Sequence, residues 1–162
     1  MASTYEKIAT TTLGSAASTI TFSSISGSYT DLVLILAGIN DIAGNRALRL
    51  QFNSDTGSNY SYTYMQSDGS TAISTRASSQ TTMQFGNFTG GQTVSILNIQ
   101  NYSNTTTYKT AIARTNPTDT VVQAFVGLWR STAAITRIDL TLNADNFNTG
   151  CVATLYGILK AA

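Results

Sequence analysis

The chain has 162 residues, with nine Lys+Arg, eight Asp+Glu, no His, one Cys and a formal net charge of +1. A lone cysteine excludes an intrachain disulfide framework, and the lack of histidine excludes a His-based triad, a His-ligated zinc site and a His-held haem. Near-neutrality argues against binding nucleic acid by phosphate neutralisation, and a longest apolar run of eight residues, Leu32 to Ile39, is far short of the ~20 that a membrane-spanning helix needs.

Residues 1–17 are rich in Ala, Ser and Thr, with Ile8 and Leu13 as the large aliphatics. They read either as a first strand or as an arm that orders on a partner, with Tyr5 and Ile8 as its candidate contacts. They carry no basic stretch followed by an apolar one, so no secretory signal is expected and assembly in a cytoplasm is. Residues 18–162 read as one β domain. Ile20 and Phe22 alternate with Thr19 and Thr21, the pattern of a half-buried strand. Leu32 to Ala37 is apolar on both faces, as suits a central strand covered on two sides or one facing a neighbouring subunit. A short stretch around Ile42 to Ala47 is the one candidate helix. In Arg46–Phe52, residues Leu48, Leu50 and Phe52 share one face and Ala47, Arg49 and Gln51 the other.

Asp55-Thr-Gly-Ser-Asn59 reads as a turn. Tyr60, Tyr62 and Tyr64 then line one face of a strand, either as a core stripe or as an exposed platform for a glycan or a partner. Met83 and Phe85 alternate with Thr82 and Gln84, and Val94 and Ile96 with Thr93 and Ser95. Val121 to Trp129 is a second run apolar on both faces. Ile138, Leu140 and Leu142 alternate with Arg137, Asp139 and Thr141, and Cys151 opens a last strand after an Asn/Gly turn. Short strands separated by turn residues predict an all-β, antiparallel, jelly-roll-like sandwich of about 8–10 strands.

Few residues carry chemistry. Asp55-Thr56-Gly57 matches the short aspartic-protease signature, but the residues before it read as strand end and turn, and an Asx-turn accounts for them. The eight carboxylates sit mostly in or beside turns, and no pair shares a strand face as an acid/base pair would. The turn at 55–59 lacks the acidic density of a calcium loop. Neither a catalytic residue, a cofactor site nor a metal site is expected. Trp129 and Arg130 close the second apolar run, as candidate interface anchors or as the end of the core.

The scarcity of charge has its own consequence. Sheet edges are ordinarily guarded by lysines, prolines and bulges, yet this chain has three lysines and one proline, while 45 positions are Thr or Ser. Edges covered permanently by other chains are one solution, so an obligate oligomer or a subunit docked on a larger particle is expected.

Three stretches carry a resemblance: Ile25-Ser-Gly-Ser-Tyr-Thr-Asp-Leu-Val-Leu-Ile35, Leu50-Gln-Phe-Asn-Ser-Asp-Thr-Gly-Ser-Asn-Tyr60 and Phe147-Asn-Thr-Gly-Cys-Val-Ala-Thr-Leu-Tyr-Gly-Ile158. In these the chain resembles structural proteins of tailed-phage virions, both head decoration (cement) proteins and tail-fibre tips. The resemblance implies a β-sandwich, often trimeric, with no cofactor and no catalytic residue. For a decoration protein it further implies docking on the major capsid protein or other virion proteins, with no nucleic-acid or membrane partner. For a tail tip it implies a receptor- or glycan-binding module instead.

Overall fold

The computed structural model describes residues 4–42, 44–88, 90–116 and 121–159. Its elements are β1 (Tyr5–Thr12), β2 (Thr19–Phe22), β3 (Asp31–Gly38), β4 (Arg46–Phe52), β5 (Tyr60–Ser67), β6 (Ala72–Gln80), β7 (Met83–Phe88), β8 (Thr93–Ile99), β9 (Lys109–Asn116), β10 (Val122–Trp129), β11 (Ile138–Leu142) and β12 (Val152–Ile158). They form two antiparallel sheets, one of eight strands in the order β1-β12-β3-β8-β9-β10-β5-β6 and one of four in the order β2-β11-β4-β7. The all-β, jelly-roll-like sandwich expected from alternation is what the chain adopts.

Two details differ from the sequence reading, and one alternative it left open is decided. The strands number twelve among the described residues, above the 8–10 expected. Two of the strands without a legible alternation, β6 and β9, explain part of the excess. In β6 nearly every residue is exposed whichever way it points, and in β9 the inward positions are Lys109, Ala111, Ala113 and Thr115 while Ile112 points out. Among the described residues no helix forms near Ile42: Asn40 and Asp41 tie that loop to the 144–148 segment, Asp41 N–H donating to the Asn146 carbonyl at 3.0 Å, and Arg46 already belongs to β4. Finally, of the two forms open to the N-terminal stretch, Tyr5–Thr12 takes that of a strand, pairing with β12 at the edge of the large sheet.

The core lies between the sheets. The small sheet contributes Ile20, Leu48, Leu50, Phe52, Ile138 and Leu140, all essentially buried. The large sheet opposes them with Leu32, Leu34, Leu36, Leu97, Phe125 and Leu155. An aromatic group packs beside the β4–β5 turn. Trp129 stacks on Tyr60 with ring centroids 6.3 Å apart and meets Phe52 at 5.5 Å. The Tyr60 hydroxyl accepts the Phe52 N–H at 2.9 Å, so its polar tip is satisfied inside the core.

The two outer faces differ in kind. That of the small sheet is polar: Arg137 holds Asp139 through two 2.7 Å bonds, and Thr21 donates to the same carboxylate at 2.7 Å. Burial alone would raise the Asp139 carboxyl, but Arg137, Thr21 and Ser54 outweigh it and hold it below the ordinary range. The outer face of the large sheet has no such network.

Candidate interaction surface

Alternation in β8, β9 and β10 puts Leu97, Ala113 and Phe125 inward and Val94, Ile112, Val122 and Val126 outward. These four outward side chains, with Met65 beside them on β5, are between 38% and 66% exposed. Register aligns the face into rows across the sheet. One runs Ser74, Met65, Ala124, Arg114, Ile96, Ile35, Thr154. The next runs Arg76, Thr63, Val126, Ile112, Asn98, Val33, Tyr156. Half of these positions are apolar, gathered mainly on β8, β9 and β10, and the charges in these two rows are the cations Arg114 and Arg76. Neither guanidinium makes a hydrogen bond or ion pair among the described residues.

Twist makes the surface hollow. One depression of ≈ 500 Å³ lies over Met65, Ala72, Val122 and Ala124, and another of ≈ 550 Å³ over Thr63, Arg76, Val126 and Leu128. Smaller ones flank Arg114 and Ile112 on the same face. Eight strands spaced ~4.8 Å and ~7 residues long present about 900 Å². A stable protein–protein contact needs about 800 Å² from each partner.

Beside this face stands β6, the edge strand. Eight of its nine residues are exposed and Ala77 is half-buried, so it has cover on neither side. It lacks lysine and proline, and Arg76 is its single charge. The β5–β6 turn carries Asp68, whose Oδ1 accepts the Thr71 N–H at 2.7 Å and the Ser70 N–H at 2.9 Å. These backbone donors hold its carboxyl down at about 2, so it is ionised at any working pH.

The residues singled out from the sequence do not converge here. Tyr60, Tyr62 and Tyr64 point inward: Tyr60 is fully buried, and Tyr64 stacks on Phe125 at 5.0 Å, so the row is a core stripe and presents no platform of rings. Trp129 is buried too, its indole N–H donating to Asp55 Oδ2 at 2.7 Å. Arg130 holds the β4–β5 turn, donating to the Ser58 carbonyl at 2.9 Å and to Ser61 Oγ at 3.2 Å. Tyr5 is 54% exposed and Ile8 packs against the core, both on the opposite edge strand β1. The residues that sequence reasoning missed are the outward aliphatics of β8–β10. Their signal was the apolarity of 121–129 at all positions but Gln123, half of which had to point away from the core.

Nor do the residues gather into a reactive centre. Asp55 is absorbed by its turn, accepting from Trp129, from Asn59 Nδ2 at 2.9 Å and from the Gly57 N–H at 2.8 Å. Cys151 is buried and donates to the Ile39 carbonyl at 3.1 Å, and burial pushes its thiol above the ordinary value. Among the described residues, no three His, Cys, Asp or Glu side chains come together as metal ligands would.

No family model and no curated protein matches the chain. Among solved structures, domains LG4–5 of the mouse laminin α1 chain align over 90% of this chain and 40% of their own, at 13% identity and a TM-score of 0.35. The chain thus spans less than half of that fragment. An alginate lyase in complex with alginate trisaccharide aligns over 94% of this chain and 80% of its own, at 11% identity and a TM-score of 0.35. A toad ovary galectin in complex with thio-digalactose aligns over 86% of this chain and 99% of its own, at 9% identity and a TM-score of 0.31. Likenesses this distant say nothing of what the chain binds.

Proposed function

We propose that this chain is a self-associating structural subunit of a phage virion, a decoration protein that docks on the assembled major capsid protein lattice. The observation that carries the reading is the outer face of the large sheet. On β8, β9 and β10 it exposes Val94, Ile112, Val122 and Val126 side by side, with Arg114 as the charge among them. Its chemistry suits the flat apolar packing of protein on protein. A sugar-binding site instead draws on exposed aromatic rings beside converging polar groups, and here the tyrosine row is turned into the core. The role calls for no reacting group. Its mechanism is mass action: a subunit that binds the closed lattice better than free capsid protein shifts the equilibrium toward the closed lattice. A homotrimer, assembled in the host cytoplasm and carried on the virion, is the form we assign.

The test is the chain's copy number in purified virions, by quantitative mass spectrometry, together with its binding to preassembled shells. Hundreds of copies per particle and saturable shell binding are expected. A handful of copies would move the chain to the tail, and absence from particles would overturn the reading.

A further inference from the structure

Two deficits of this molecule are complementary. The outer face of β8–β9–β10 exposes Val94, Ile112 and Val126 around Arg114, a cation without a carboxylate among the described residues. A flat stacking of two such faces on a two-fold axis near Arg114 would oppose cation to cation. The β5–β6 hairpin has the opposite character. It exposes Ile73 on the side that would face the second sheet, no strand of that sheet covers β6, and its tip bears the exposed, ionised carboxylate of Asp68. β5 is paired with β10 along its length, but β6 is held by β5 alone, and a long bare edge invites another chain.

We propose that the hairpin of one copy lies across the outer β8–β9–β10 face of the next, seating Ile73 among the aliphatics and Asp68 against Arg114. One contact then covers both deficits and brings the Asp68 carboxylate, held in its turn by backbone N–H groups, to the Arg114 guanidinium. It joins two different patches; made one way it is a heterologous interface, which repeats head to tail and closes into a ring when the rotation allows, whereas a reciprocal exchange on a two-fold axis closes as a dimer. A ring of three agrees with the trimer assigned above. The inference deepens the self-association part of that reading and rests on it alone, independent of any shell.

The experiment uses two substitutions at exposed positions, Ile73→Asp on the hairpin and Val126→Asp on the face, with mass measured by light scattering on the full chain. Wild type is expected as an oligomer, and each variant as a single chain of 17.2 kDa with an unchanged far-UV spectrum. Mixed at high micromolar concentration, the two variants are expected to form a 1:1 heterodimer of twice that mass, because one intact hairpin meets one intact face and no further copy can add. A stacking of like faces gives no such product, and the mass of the wild type, three chains or two, separates the one-way ring from a reciprocal dimer. A monomeric wild type would overturn both this inference and the self-association reading. An oligomeric wild type with either variant still at wild-type mass would overturn the inference and leave self-association standing. So would monomeric variants that fail to pair on mixing. Should Ile73→Asp alter the spectrum, Asp68→Arg with Arg114→Asp replaces the pair: each alone is expected to lose the oligomer at least tenfold in affinity, and the double variant to recover it. A double variant that stays dissociated overturns the proposed pairing.

Discussion

Asp55 sits in a protease-like string yet serves the fold. Burial raises its carboxyl, but the bonds from Trp129, Asn59 and Gly57 outweigh that and place it below the ordinary value. Because the folded value lies below the unfolded one, ~3.9, the stabilisation is complete above that pH and is lost as pH falls through the lowered folded value. Asp55→Asn should therefore cost about 1–2 kcal/mol at neutral pH and flatten the acid limb of stability, read by urea denaturation at a series of pH values. Lys109 is the reverse case. It is 1% exposed, and its Nζ donates to the Thr107 carbonyl at 2.7 Å and the Thr132 carbonyl at 3.2 Å, with no ion pair to a carboxylate among the described residues. Burial lowers its ammonium from 10.5. The unfolded chain therefore holds the proton more tightly, and stability rises with pH between the lowered folded value and the ordinary one. Lys109→Met keeps the volume but leaves the Thr107 and Thr132 carbonyls without their donor, so it should cost about 1–2 kcal/mol near neutrality. That cost should grow toward pH 10 in the same denaturation series, because the wild type alone gains stability there.

At the level of elements, β12 depends on having no side chain at one place. Gly157 points inward beneath the ring of Tyr29, and a Cβ built there would collide with that ring. The ring in turn is held near Tyr102, whose hydroxyl accepts the Tyr29 N–H at 3.3 Å. Gly157→Ala should push the ring aside and cost about 1–3 kcal/mol in thermal unfolding. Val126→Thr, on the open face of β10, should stay within about 0.5 kcal/mol. The elements also mark how far local reading reaches. β4 was legible because Leu48, Leu50 and Phe52 are apolar while Arg49 and Gln51 are not. β9 was illegible because its inner row holds Lys109 and Thr115, satisfied by hydrogen bonds, and its outer row holds Ile112. Hydrogen bonding inside and an uncovered aliphatic outside reverse the usual polarity of a strand.

Taken whole, the chain has one hydrophobic core to which both sheets contribute, so the described residues should unfold in a single cooperative step. Trp129, between Phe52 and Tyr60, reports on that core by fluorescence, and far-UV circular dichroism reports on the sheets. The two transitions should coincide in urea, whereas an earlier spectral change would mean that edge strands detach before the core opens. The class of fold and the paucity of charge were legible at this scale, because alternation with period two and a low count of ionisable residues are local properties of the chain. The candidate surface was half legible. Apolar residues at every position of 121–129 except Gln123 announce that one apolar row must lie away from the core, but both rows are largely apolar and period two does not say which is turned outward. Long-range pairing settled it. By setting Phe125 opposite Ala113 and Tyr64, and by carrying β6 past the end of the small sheet, the register of distant strands left one aliphatic face and one bare hairpin in water.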